Sequence, residues 1–304
     1  MPSLEVRLAG LRLRNPTVIA SGILGTSASI AKRVEEAGAG AFTTKTITLE
    51  PRRGYENPTF VELEHGYLNA IGLANPGIDA FCSELEKMRK TLSIPVILSV
   101  GGGSMKELVD VALRGVSCGA SALELNVSCP HVKGMGAEVG DNPETVAEIV
   151  RAIRDATDLP LFVKLSPHHD YVKLALKALE AGASGFTAIN TVRGMVIDIY
   201  ARRPVLSNRF GGYSGRGIRP IAVKVVYDLY ERVGDAPIIG VGGVDSWQAA
   251  VEMMLAGASA VGVGSEIARK DLGLFREINE GISLYLEREG FSSVKEIVGL
   301  AHKA

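Results

Sequence analysis

The stretch "NVSCPHVKG", residues 126–134, sets an amide (Asn126), a hydroxyl (Ser128) and a thiol (Cys129) close together, followed by a proline and a histidine. A thiol with an ordinary pKa near ~8.5 can act as a base near neutral pH once a ligand closes around it. The residues just before, Ala122-Leu123-Glu124-Leu125, read as a strand, so the cluster stands where a strand ends. Comparable positions elsewhere carry Ser21, Lys45-Thr46, Ser99, Lys164, Asn190-Thr191, Gly242-Gly243 and Gly264-Ser265. These are amides, hydroxyls, glycines and two lysines, with no His cluster and no carboxylate pair. A zinc or binuclear hydrolase wants His and Asp/Glu there, and a glycosidase wants two facing carboxylates, so both are disfavoured.

Two glycine motifs add an anion site. "GVGGVDSWQAA" and "GVGSEIAR" each follow an apolar strand and open a helical segment. Glycine lets backbone N–H groups approach a phosphate, and barrels commonly bind one after their last two strands. Lys164 in "LFVKLS" has neighbours that should be buried. Its ammonium must then meet an anion such as a charged cofactor, lose its charge as a Schiff-base amine, or reach solvent along its stem. In "YLNAIGLANPG", Asn69 and Asn75 flank an apolar turn. Asn is a turn former, yet its amide is also what a cyclic amide or imide would seek.

The elements that must position these residues alternate between two junction types. One is glycine-rich: "AGAGAFTT", "CGASALEL", "AGASGFTA" and "AGASAVGV". There a glycine ends a helix in left-handed conformation and a strand follows. The other places proline at the strand start: "NPTVIAS", "IPVILSV", "LPLFVKLS" and "APIIGVG". Interleaved, they give eight continuously apolar strands at 17–21, 41–45, 95–99, 121–126, 160–165, 185–190, 237–241 and 259–263. Amphipathic segments such as 142–156 and 168–181 lie between them. The pattern predicts an α/β fold, a (β/α)8 TIM barrel over 1–304 as one domain, with a doubly wound sheet as the alternative. "LEVRLAGLRLRNP" predicts an N-terminal β-hairpin, and the long connections 46–75 and 191–218 predict insertions at the C-terminal face.

With 304 residues, 46% hydrophobic, and a formal charge of −1, the chain is a poor partner for nucleic acid or an acidic membrane surface. The first residues lack a signal peptide's apolar region, and no run approaches transmembrane length. Cys82, Cys118 and Cys129 are odd in number and read as reduced thiols in a cytoplasm, the first two as core residues on helices. His168 and His169 read as capping-region residues at the start of the helix that follows.

Over essentially its whole length the chain resembles the class 1 dihydroorotate dehydrogenases. The resemblance rests on "NPTVIASG", "TTKTIT", "YLNAIGLANPG", "ELNVSCPHVKG", "FVKLSP", "INT", "GGYSGRGIRP", "GVGGV" and "VGVGS", in order. "SCPHVKGMG…GDNPE" looks most like class 1B, the NAD-linked, two-subunit subclass.

The resemblance implies an FMN flavoprotein that oxidises dihydroorotate to orotate in pyrimidine biosynthesis. Cys129 would be the base that takes the C5 proton, with hydride passing from C6 to FMN. Lys164 would balance the negative charge of the reduced flavin. Ser21, Lys45, Thr46, Asn126 and Ile189 would contact the flavin ring or ribityl chain. Gly215, Gly242, Gly243, Gly264 and Ser265 would hold the ribityl chain and phosphate. Lys45, Asn69, Ala70, Ile71, Gly72, Leu73, Asn126, Asn190 and Thr191 would bind the pyrimidine.

It also implies a partner subunit carrying FAD and an iron–sulfur cluster, around a homodimer core in a heterotetramer. No metal site is expected on this chain. The sequence departs from the family pattern at Ser99 and His131, where Asn is usual, so Ser99 is not assigned to the site and His131 reads as a loop residue. The competing enzymes are a flavin-dependent dihydropyrimidine dehydrogenase and a Schiff-base aldolase using Lys164. A non-catalytic phosphate-ligand binder is the competing non-enzyme.

Overall fold

Four prolines open barrel strands by giving the sheet a carbonyl where they have no N–H to give. The carbonyls of Pro16, Pro95, Pro160 and Pro237 accept from Val261, Phe42, Leu123 and Phe186 at 2.8–3.0 Å, each on the neighbouring strand. The computed structural model describes residues 1–127 and 137–303.

The strands are β1 (Thr17–Ile19), β2 (Ala41–Thr43), β3 (Val96–Val100), β4 (Ala122–Asn126), β5 (Leu161–Leu165), β6 (Gly185–Ala188), β7 (Ile238–Val241) and β8 (Ala260–Val263). They pair in parallel, in chain order, into a closed eight-stranded barrel. All eight expected strands are present, seven trimmed by a residue or two and the third shifted by one to Val96–Val100, and the N-terminal hairpin pairs Val6–Leu8 with Leu11–Leu13.

The outer helices are α1 (Ala28–Glu36), α2 (Ile78–Thr91), α3 (Met105–Cys118), α4 (Pro143–Arg154), α5 (Tyr171–Glu180), α6 (Arg219–Val233), α7 (Trp247–Leu255) and α8 (Leu274–Glu289). Helix α3 shows why such segments fold. Leu108, Val111, Ala112 and Gly115 fall on one buried stripe, and the Ser104 side chain accepts from the N–H of Glu107. Such a cap contributes about 1 kcal/mol. Gly119 ends the helix at φ +105°, where a Cβ would be strained.

The two insertions do not stand apart. They share one antiparallel sheet in the order Val192–Gly194, Gly211–Ser214, Gly66–Asn69, Phe60–Leu63. Its own small core is Leu68, Ala70 and Leu206.

Two expectations need correction. Cys82 and Cys118 are not separate reduced thiols: α2 and α3 pack side by side, bring the Cα atoms to 5.4 Å and place the sulfurs in a disulfide. The pairing spans 36 residues, a distance at which sequence carries no sign of it. The argument for a reducing compartment from paired-off thiols therefore falls away.

His168 and His169 lie in the residues just before α5, whose N-cap is Asp170, accepting from the N–H of Lys173. His168 Nε2 accepts from the N–H of Arg193, and His169 is buried against Gly140 with Nε2 3.3 Å from Asp141. The strands, finally, are not continuously apolar: Ser99, Glu124, Lys164 and Thr187 are all buried within them.

Candidate active site

The C-terminal strand ends converge on a cleft with two compartments. The wider, about 400 Å3, is bordered on the strand side by Lys45, Thr46, Asn126 and Lys164. Phe60, Asn69, Ile71, Gly72 and Leu73 border its insertion side. The narrower, about 80 Å3, is bordered by Ile189, Gly215, Gly242, Gly243 and Gly264. Ser21, Lys164, Asn190, Thr191 and Ser265 face both. Ala70 does not border the cleft, because strand alternation turns its side chain into the small core with Leu68 and Leu206. Ser128, Cys129 and His131 lie outside the described residues.

The strand side is organised around one hydroxyl. Thr46 Oγ1 accepts from Asn126 Nδ2 at 2.9 Å, and lies 3.0 Å from Ser99 Oγ and 3.5 Å from Ser21 Oγ. Ser99 is fully buried and steadies Thr46 from behind the cleft wall. Lys45 also faces the cleft, and burial lowers its pKa, so its ammonium is poised to meet an anion.

On the insertion side the two asparagines part company. Asn69 borders the cleft and donates from Nδ2 to the carbonyl of Gly212 at 3.2 Å. Asn75 is spent on the turn: Oδ1 accepts from the N–H groups of Thr48 and Gly77, and Nδ2 donates to Thr48 Oγ1 and the Leu73 carbonyl.

The glycines of the narrow compartment are glycines for different reasons. A Cβ on Gly242 would meet Ala222 Cβ at 2.7 Å, and one on Gly243 would meet Arg219 Cβ at 2.6 Å, both at positive φ. Local folding accounts for those two. Gly264 has no such need, since the nearest atom to a Cβ there is 3.8 Å away. Packing therefore does not require a glycine at this point of the cleft border. A glycine there does let the backbone approach a bound group closely.

The helix-end contribution is smaller than expected. Helix α7 starts at Trp247 with the Ser246 side chain on the Ala249 N–H, and the segment after Ser265 is only the short turn Ile267–Lys270. Backbone N–H groups of the glycine loops, rather than two helix dipoles, are what this end offers an anion.

The model of the family described as dihydroorotate dehydrogenase matches residues 3–286. The chain belongs to the dihydroorotate dehydrogenase family. A relative from Pyrococcus abyssi, named dihydroorotate dehydrogenase B (NAD(+)), catalytic subunit, is 51% identical over 301 residues, 99% of each chain. Relatives of the same name from Methanosarcina acetivorans and Methanocaldococcus jannaschii are 47% and 44% identical, over 97% and 99% of this chain and 95% and 98% of theirs. A crystal structure of a dihydroorotate dehydrogenase from Eimeria tenella in complex with ferulenol has the same fold. Its TM-score is 0.87 at 24% identity, covering 100% of this chain and 90% of that one.

In this dihydroorotate dehydrogenase family chain, inspection of strand ends passes over one residue. Glu124 is 2% exposed within β4, and its Oε1 stands 3.9 Å from Lys164 Nζ, too far for a hydrogen bond. That oxygen has no hydrogen-bond partner among the described residues. The available signal was a carboxylate inside an otherwise apolar run, "ALELN".

Proposed function

We propose that the chain is the FMN-bearing catalytic subunit of an NAD-linked dihydroorotate dehydrogenase, oxidising dihydroorotate to orotate in pyrimidine biosynthesis. The observation that carries the reading is the shape and lining of one cleft. Its glycine-lined narrow end is open at the Cβ position of Gly264, and its wide end sets Lys45, Lys164 and Asn126 opposite Asn69.

The narrow end, with Gly215, Gly242, Gly243, Gly264 and Ser265, holds the phosphate and ribityl chain of FMN. Ser21, Thr46, Asn126, Lys164 and Ile189 hold its ring. The chemistry FMN supplies when bound is acceptance of the hydride that leaves C6 of the substrate. The chain supplies the rest. The Cys129 thiolate takes the C5 proton as the C5–C6 bond becomes double, Lys164 holds a positive charge at the cleft floor, and Asn69, Asn126, Asn190 and Thr191 orient the pyrimidine amides. Lys45 offers its ammonium to the substrate carboxylate.

Electrons leave through a separate subunit carrying FAD and an iron–sulfur cluster. Two of the three cysteines are bonded to each other, which leaves one thiol where such a cluster ordinarily takes four. The same reading places two catalytic chains at the centre of a heterotetramer in the cytoplasm. Among the described residues, no helix is long and apolar enough to cross a membrane.

The test is the visible spectrum of the pure chain before and after anaerobic addition of dihydroorotate. The expected result is a yellow protein with about one FMN per chain, bleached by substrate and unable alone to reduce NAD efficiently. A colourless protein that cannot be reconstituted with FMN overturns the reading. Borohydride inactivation with substrate would instead indicate the aldolase, and rapid turnover with fumarate a single-subunit enzyme.

A further inference from the structure

The interior layer beneath the cleft is polar where a barrel of this kind is ordinarily filled by branched apolar side chains. Strand register puts Ser99 beside Glu124, Asn126 beside Lys164, and Thr187 beside Lys164 on its other side. Thr187 Oγ1, like Glu124 Oε1, is buried without a hydrogen-bond partner among the described residues. A carboxylate in such surroundings is costly to keep unless a positive charge answers it. The cation facing it is Lys164, whose side chain is only 8% exposed and borders both compartments.

We propose that Glu124 is a positioning residue of the cleft: its buried carboxylate keeps Lys164 charged and directed at the cleft, and so sets the net charge beneath the bound cofactor. This deepens the flavin reading and rests on it for its second readout only. The arrangement is a relay of opposite charges. The ammonium stands between the Glu124 carboxyl below and the negative charge that reduction adds above. Other ionisable groups facing the cleft are Lys45, Arg216, Asp245 and Glu266. Asp245 is paired with Arg219 and Glu266 with Arg269, so neither competes for Lys164.

The experiment compares wild type with Glu124→Gln. In flavin-free protein, the Lys164 side chain is titrated by NMR of isotope-labelled lysine, its signal assigned by its loss in Lys164→Gln. Without the carboxylate, the Lys164 titration should move to lower pH than in wild type. An unchanged titration overturns the proposal, and this readout holds even if the chain proves to bind no flavin.

In the flavin-loaded protein, the reduction potential of Glu124→Gln should lie above wild type at acid pH, where the ammonium stands uncompensated. That offset should fall as pH rises and Lys164 loses its proton. A constant offset, or none, contradicts the proposal. Glu124→Asp, which retains the charge, should move both readouts back toward wild type; behaviour identical to Gln would show that charge is not what matters. Should Glu124→Gln fail to fold, the double variant with Lys164→Met must restore folding, because both charges are then gone. A double variant equally unfolded would make Glu124 a packing residue and end the proposal.

Discussion

Across the cleft, two walls meet that differ in how they are held. On the strand side, Thr46, Asn126 and Lys164 are 5–7% exposed, while Phe60 on the insertion side is 46% exposed. The strand-side groups hang on ladder hydrogen bonds of a closed barrel, which has no free edge to fray. The insertion side hangs on a small sheet in which Asn69 pairs with Gly212, 143 residues away, over a core of a few side chains. Local opening is drawn from regions with few buried contacts, so the insertion side is the one suited to admit and release a substrate. The strand side is suited to a resident cofactor, although Lys45 and Asn126 also reach the substrate. Substitutions on the insertion side should therefore weaken substrate binding without loss of the cofactor.

The largest effect should come from filling the cofactor space. Gly264 borders the narrow compartment and its Cβ position is open, so Gly264→Leu should crowd that end and abolish FMN binding and activity together. Flavin content and a circular dichroism melt check this; full flavin occupancy would show that the narrow end holds something else.

Next is Cys129→Ala, which should keep FMN and lower turnover by roughly two to four orders of magnitude, the usual loss for a general base. Near-normal turnover would move the base elsewhere.

Changes outside both walls should leave the chemistry alone. Cys82→Ser opens the α2–α3 disulfide and should lower stability by about 2–4 kcal/mol, read as a drop in Tm, with kcat/KM unchanged. A change in kinetics would couple the outer helices to the cleft.

Smaller still is an acid-side effect on α1. Burial raises the pKa of Glu35, but hydrogen bonds from Lys32 and Ser93 outweigh it and bring the value down from 4.5 to about 2. A depressed carboxylate stabilises the fold above its unfolded pKa and loses that contribution as pH falls through the folded one. Glu35→Gln should thus flatten the loss of stability between about pH 4.5 and 2. An acid limb of undiminished slope would assign that loss to other groups.

The two walls were also unequally legible in the sequence. Ser21, Lys45, Asn126, Lys164 and Gly264 could be placed because Pro and Gly punctuation locates strand ends, and barrels gather strand ends at one face. Nothing local announces that 60–69 and 192–214 share a sheet, for antiparallel register across such a gap is decided by tertiary packing. Ala70 shows the consequence: one step along the chain from Asn69 on the cleft, its side chain joins the small core. Glu124 lies inside its strand rather than at the end that barrel geometry singles out, and the disulfide joins helix neighbours that spacing does not encode.

The division of labour is tested most directly by anaerobic stopped-flow reduction of Asn69→Ala by dihydroorotate. The account predicts full FMN content, a limiting rate close to wild type, and about tenfold more substrate needed for half-saturation, the loss of roughly one good hydrogen bond. Loss of flavin, or a reduced limiting rate at unchanged half-saturation, would place Asn69 with the cofactor and contradict the separation of the two walls.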